Sequence, residues 1–215
     1  MSQTLYYAPG ACSLACHIAL EEAGADFDPH RLDPAKGEQR SAEYLRINPH
    51  GRVPALRVGE RVPTEGPAIL GYIARSHPGA GLLPADEFDA AGVASFIAWC
   101  SGTVHVTFAH VFRSERYASG DAALASVRET ALGSLPGYFA EIDERFAGRE
   151  WAAGDSFGIG DGYPFVFWRW ARRLKLDMSA YPHWQQHTWR MLDRPAVKRA
   201  VDREGLAAGD WIETR

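Results

Sequence analysis

The first eighty residues alternate short apolar runs with stretches of helical period. Leu5-Tyr6-Tyr7 has the composition of a strand, closed by the turn Ala8-Pro9-Gly10. From Ser13 the apolar positions Leu14, Ile18 and Ala19 recur at helical spacing, with Gly24 as the stop. Phe27 to Leu32 reads as a second strand. Ser41 to Ile47 reads as a short helix ended by Asn48-Pro49-His50-Gly51, and Val53 to Val58 as a third strand. Gly59-Glu60 then offers a two-residue turn into a fourth strand at Arg61-Val62. Pro67 to Arg75 returns to helical period, with Ile69, Leu70 and Ile73 on one side. The predicted order is β-α-β-α-β-β-α.

The pattern changes after this helix. His77 to Pro84 is rich in Pro and Gly and reads as a linker. Beyond it only helical patterns recur, near residues 86–118, 122–147, 160–175, 179–193 and 195–204. Strands first and helices after predict two domains: an α/β domain over residues 1–79 and an all-α helical bundle over residues 86–215.

Composition narrows the function classes. The 215 residues are 46% hydrophobic and 23% charged, enough to bury a core. A net charge of −4 with no long basic run argues against a nucleic-acid partner. No unbroken apolar run reaches membrane-spanning length, and the N-terminus lacks a basic and an apolar signal region, so neither a membrane nor secretion is expected. Cys12, Cys16 and Cys100 are too few for a disulfide framework and fit a reducing compartment. The expectation is a cytoplasmic protein with no metal, since no ligand pair stands at metal spacing.

Candidate chemistry sits at the element junctions. Cys12 and Ser13 open a helix, where free N–H groups favour an anion and lower thiol pKa values. Tyr7, ending the preceding strand, is placed to donate to the same anion. A packed, inert Cys12 is the competing reading, because cysteine is among the most often buried residues. A cis Val53–Pro54 bond would turn the Val53 backbone away from the sheet toward a peptide-like ligand; trans is the ordinary state. Glu65 and Gly66 precede Pro67 at a helix start, suited to an anionic ligand or to ordinary capping. Gly158 to Asp161 reads as a capping turn, and His105 and His110 lie on an aromatic-rich helix.

In order and spacing these segments are similar to the glutathione transferase superfamily. Tyr6 to Ala15 resembles the opening of its bacterial beta class, Asn48 to Leu56 its loop before a cis-proline, and Thr64 to Leu70 its γ-glutamyl-binding turn. Gly154 to Asp161, Arg169-Trp170-Ala171 and Arg194-Pro195 extend the likeness to the last third. The resemblance implies a thioredoxin-like N-terminal domain, a homodimer, and glutathione as co-substrate with no metal. It implies Cys12, Tyr7, Ser13 and His105 as catalytic candidates. Cys12, Arg52, Val53, Pro54, Glu65, Gly66 and His105 become glutathione-binding candidates. An aromatic wall of Phe108, Phe112, Tyr117, Phe165 and Trp168, or alternatively a bundle core, would receive a small hydrophobic electrophile. Three departures stand out: Val106 replaces a basic residue that often follows the histidine, Gly158 replaces the usual Ser or Thr N-cap before Asp161, and Ala98 stands where the class often has asparagine. The implied reaction is conjugation of an activated glutathione thiol. The rivals are thiol–disulfide exchange or deglutathionylation at Cys12, and a non-catalytic glutathione-dependent carrier of hydrophobic ligands.

Overall fold

The computed structural model describes residues 3–212. Its sheet has the order β2-β1-β3, built from β1 (Gln3–Tyr7), β2 (Phe27–Arg31) and β3 (Ala55–Val58). β1 runs parallel to β2, with Tyr7 opposite Arg31, and antiparallel to β3, with Tyr6 opposite Ala55. Alternation along β1 serves two layers. Leu5 and Tyr7 face the main core with helices α1 (Ser13–Glu22) and α3 (Gly66–Ser76), whereas Tyr6 packs with Leu32, Tyr44 and Ala55 on the other side. Tyr44 belongs to α2 (Ala42–Ile47), whose start is capped by Ser41 Oγ accepting from the Tyr44 N–H at 3.1 Å.

The fourth strand of the expected order is present only as two isolated bridges, Ala55 to Thr64 and Val58 to Arg61. Pro63 stands between them with a carbonyl that accepts from the Leu56 N–H but no N–H to return, which interrupts the ladder.

The helical half begins with a rod, α4 (Glu87–Trp99), a π-turn (Cys100–Val104) and α5 (His105–Phe112). The rod has the length and composition to span a membrane, with a mean hydropathy of 1.3, and a third of that window is buried against the rest of the protein. It stops at Arg113, short of the expected residue 118, where φ −144° breaks the helix. Helices α6 (Asp121–Phe146), α7 (Gly162–Arg173), α8 (Pro182–Asp193) and α9 (Pro195–Arg203) complete the half. α7 is buried nearly all round and crosses α1 closely, because Gly162 lies against the backbone of Ala15 where a Cβ would meet its Cα at 2.9 Å. Asp161 caps the turn before α7, accepting from the N–H groups of Ala152 at 2.8 Å and Gly158 at 2.9 Å. α9 lies back on α1, held by Arg199 and Arg203 on Glu21 and by Arg194 on Glu22.

Candidate active site

Gly10 turns the chain between β1 and α1 at φ 65°, and the Arg169 guanidinium lies where its Cβ would be. The Gly10 carbonyl accepts from Trp170 Nε1 at 2.9 Å and from Arg169 at 3.4 Å. The Gly10 N–H donates to Glu204 at 2.7 Å, and the other oxygen of that buried carboxylate lies 2.9 Å from His17 Nδ1. Burial pushes the Glu204 carboxyl above its ordinary pKa, opposed by the hydrogen bonds from His17 and Gly10. Three side chains from the helical half thus fix the backbone that delivers Cys12.

Two hydroxyls expected beside a sulfur point elsewhere. Ser13 Oγ is wholly buried, donating to the Ala8 carbonyl at 3.3 Å and accepting from the Ala8 N–H at 3.2 Å, so it closes the turn. The Tyr7 hydroxyl donates to the Arg203 carbonyl at 3.4 Å, and its ring lies 5.3 Å from His17. Strand alternation sends Tyr7 to the α1–α9 layer, where burial and then the Glu204 charge raise its pKa.

Cys12 is the N-cap residue of α1, and its thiol donates to the Val53 carbonyl at 3.5 Å. The expected lowering of its pKa is overturned. Burial pushes the thiol up to about 12, outweighing the N–H groups of Cys12 and Ser13, and the charges of Glu65 and Glu204 push the same way. Cys16 and Cys100 are wholly buried, and the Cys16 thiol faces the Gly66 carbonyl at 3.8 Å.

The Val53–Pro54 peptide is cis. The Arg52 carbonyl is gripped by the Tyr44 hydroxyl at 2.6 Å and Asn48 Nδ2 at 2.7 Å, which fixes the loop before it. The Val53 N–H has no partner among the described residues, so an open peptide edge lies next to the Cys12 sulfur. Glu65 is exposed at φ 68° and ψ 120°, a conformation a non-glycine residue holds at a cost of about 1–3 kcal/mol. Gly66 comes next because the Tyr163 hydroxyl fills the place of a Cβ. The first-turn N–H groups of Gly66 and Ala68 are free of the α3 ladder.

His105 enters from the helical half. The π-turn adds one residue to the rod immediately before it, rotating α5 by about 100° relative to α4. Its ring lies 5.1 Å from that of Trp170, the residue that holds Gly10. Burial first, then Arg52 and Arg116, lower its pKa to about 4, so the imidazole is neutral at pH 7. Trp170 stands in the Arg169-Trp170-Ala171 likeness without a site role, and Arg116 stands in no motif of the sequence. Trp170 is one of several aromatics on a helix buried on every side, so the pattern does not show which of them faces Gly10 and His105.

The aromatic wall divides. Phe108, Phe165 and Trp168 are core: Phe165 stacks on Trp211 at 4.6 Å, and Trp168 Nε1 donates to the Trp211 carbonyl at 2.9 Å. Phe112 and Tyr117 are open to solvent, with Phe112 edge-on to Trp170 and Tyr117 edge-on to His110. Among the described residues no group of three or more His, Cys, Asp or Glu is placed to hold a metal ion.

Residues 1–75 match the glutathione S-transferase N-terminal domain and residues 102–195 the C-terminal domain. Glutathione S-transferase GST-4.5 of Xanthomonas campestris pv. campestris is 36% identical over 203 residues, covering 94% of this chain and 98% of that protein. GstA of Escherichia coli O157:H7 is 33% identical over 205 residues, again covering 94% and 98%. The chain belongs to the glutathione S-transferase family. Among solved relatives, a glutathione transferase homologue from Sulfitobacter with bound glutathione superposes with a TM-score of 0.90 at 34% identity, covering 96% of this chain and 99% of that one. A sphingomonad glutathione S-transferase complexed with glutathione gives 0.82 at 38% identity, covering 95% and 100%. A bacterial beta-class transferase from Sphingomonas chungbukensis gives 0.82 at 36%, with the same coverage.

Proposed function

We propose that this transferase binds glutathione along Val53, activates its thiol and directs it at a small hydrophobic electrophile. The observation that carries the reading is the Val53 N–H without a partner after a cis peptide, beside the Cys12 sulfur. In this reading Val53 pairs through its N–H and C=O with the cysteinyl part of glutathione, as an added strand would. Glu65 takes the ammonium of the γ-glutamyl end, and the Gly66 N–H takes its carboxylate. Neutral His105 accepts a hydrogen bond from the incoming thiol; a thiolate there is further favoured by Arg52 and Arg116. The sulfur then forms a bond to the electrophile held in place beside it. Residues 1–79 act as the glutathione domain and residues 86–215 supply the co-substrate side. Phe88, 87% exposed on the apolar rod, and the exposed Ala91, Ala94 and Ala98 support a homodimer through that face. Three free, buried cysteines suit the reducing cytoplasm.

A second reading, thiol–disulfide exchange at Cys12, is supported by the position of its sulfur at the peptide edge. Mass spectrometry with and without reductant, beside conjugation assays on wild type and Cys12→Ala, separates the two. Conjugation retained by Cys12→Ala supports the first reading. A reducible glutathione adduct together with loss of conjugation in the variant supports the second. A wild-type protein without glutathione binding or conjugation overturns both.

A further inference from the structure

Several arginines of this protein pair with carboxylates. Arg169, Arg194, Arg199 and Arg203 meet the carboxylates of Asp210, Glu22, Glu21 and Glu21 at 2.5–2.7 Å. Arg52, Arg113 and Arg116 have no such partner among the described residues. Arg52 stands before the cis peptide, Arg113 and Arg116 stand on the turn that ends α5, and all three side chains are exposed. Arg113 and Arg116 share the turn between Phe112 and Tyr117, and in keeping with that placement the charges of Arg52 and Arg113, after partial burial, lower the pKa of Arg116. Arg52 and Arg116 also act together on His105. Tyr117 and the neighbouring Glu115 oppose these effects on Arg116 less strongly. Gathering like charges without a counter-ion is unfavourable, and a bound anion relieves that repulsion.

The same mouth carries the exposed aromatics. Phe112 is 36% exposed with its ring 5.9 Å from Trp170, and Tyr117 is 44% exposed with its ring 4.0 Å from His110. Phe112 and Tyr117 therefore flank Arg113 and Arg116 on one turn, with the Arg113 guanidinium donating to the Phe112 carbonyl at 3.1 Å, and Phe112 shares the Trp170 ring with His105.

We infer that the electrophile taken by this site is an organic anion, an aromatic or unsaturated acid whose acidic group is bound by Arg116 with Arg113 while its apolar body lies against Phe112 and Tyr117. The inference rests on the transferase reading and gives it a substrate class. Guanidinium groups suit this task because they stay charged and present paired donors to a planar carboxylate. Glutathione carries a carboxylate at its own glycyl end, so the test must separate the two sources of negative charge.

The probes are 4-chloro-3-nitrobenzoate and its methyl ester, which differ in charge at the far end of the ring. In both, the glutathione sulfur bonds to the carbon bearing chlorine, chloride leaves with the bonding pair, and the thiol proton passes to solvent. The readout is the ratio of kcat/KM for acid over ester, each divided by its uncatalysed rate. Arg116→Gln lowers that ratio about fivefold, the upper end for an exposed ion pair. Arg116→Lys recovers part of it, and adding Arg113→Gln to Arg116→Gln lowers it further. A ratio unchanged in the double variant overturns the inference. So does a KM for glutathione that rises equally with both probes, which assigns the cations to glutathione's glycyl end. A wild-type protein that binds glutathione yet never turns over the acid overturns it as well. A wild-type protein that binds no glutathione by calorimetry fails earlier, at the transferase reading itself.

Discussion

His105→Gln replaces the cleft's imidazole with a neutral side chain that cannot take up a proton. In the folded protein the imidazole pKa is lowered from 6.5 to about 4, by burial first and then by Arg52 and Arg116. In the unfolded chain it returns to the ordinary value. A histidine with a depressed folded pKa contributes stability above pH 6.5, and the contribution is lost as pH falls toward 4, because the unfolded chain binds the proton first. The difference between those pKa values caps the effect at about 3 kcal/mol. The ring keeps part of its surface in solvent, so about 2 kcal/mol is the expected size. Urea unfolding of wild type and His105→Gln at pH 7.5 and pH 4.5 measures it: wild type should lose about 2 kcal/mol more than the variant on acidification. The His105 ring protons should titrate near the lowered value by NMR, Arg116→Gln should move that midpoint up, and saturating glutathione should move it up further. A midpoint near the ordinary histidine value, or identical pH dependence in wild type and variant, refutes the packing of His105 between Trp170 and the two arginines.

Cys12, with its thiol at about 12, should react with iodoacetamide at pH 8 at least about a hundredfold more slowly than free glutathione, read by peptide mass spectrometry; a rate like that of free thiol would mean the site is open and the thiol unburied. Gly66→Ala forces a methyl into the Tyr163 hydroxyl and should cost about 1–3 kcal/mol by urea unfolding. Tyr163→Phe in the same chain should recover most of that, and no recovery would place the conflict elsewhere. Trp170→Phe keeps a ring but removes the donor to Gly10, so stability should fall by about 1 kcal/mol and the conjugation rate should fall with it; an unchanged rate would show that the Gly10 clamp does not position the site.

The sequence made legible the features that are local. β1, α1, β2 and α2 arise from short-range periodicity, and Ser41 and Gly24 punctuate them as their chemistry requires. Cys12, Val53–Pro54 and Glu65-Gly66 stand at element junctions, so their role as an edge and a helix start is visible in a few consecutive residues. The thiol of Cys12 misled because its helix-start donors are local, whereas the burial that outweighs them comes from the packed surroundings. Phe165 and Trp168 misled for the opposite reason. α7 is buried nearly all round, so its sequence has no polar stripe to show which aromatics face a cleft. The groups that reach Gly10 stand 159, 160 and 194 residues away, and no periodicity carries such a pairing.

Those distant pairings bear on how the two halves divide the work. The Ala8–Cys12 turn has local ties, Ala11 to Ala8 and Ser13 to Ala8, that set its shape. The groups of Gly10 itself are taken by Trp170, Arg169 and Glu204, all from the helical half. Glu204 comes directly after α9, and α9 is anchored to α1 through Glu21 and Glu22. One buried cluster runs without interruption from Leu5 to Trp211. Withdrawing the helical half would therefore give up the hydrogen bonds of both Gly10 backbone groups and the ion pairs of Glu21 and Glu22, a net loss of about 0.5–1.5 kcal/mol per hydrogen bond once water replaces the partners. The same ring that secures Gly10 also lies against His105, so Trp170 ties the position of the Cys12 turn to that of the opposite side of the cleft. A change in the helical half that moves Trp170 must then be felt at the peptide edge beside Cys12, so that under the proposed function the helices act on the glutathione side as part of it rather than as a lid over it.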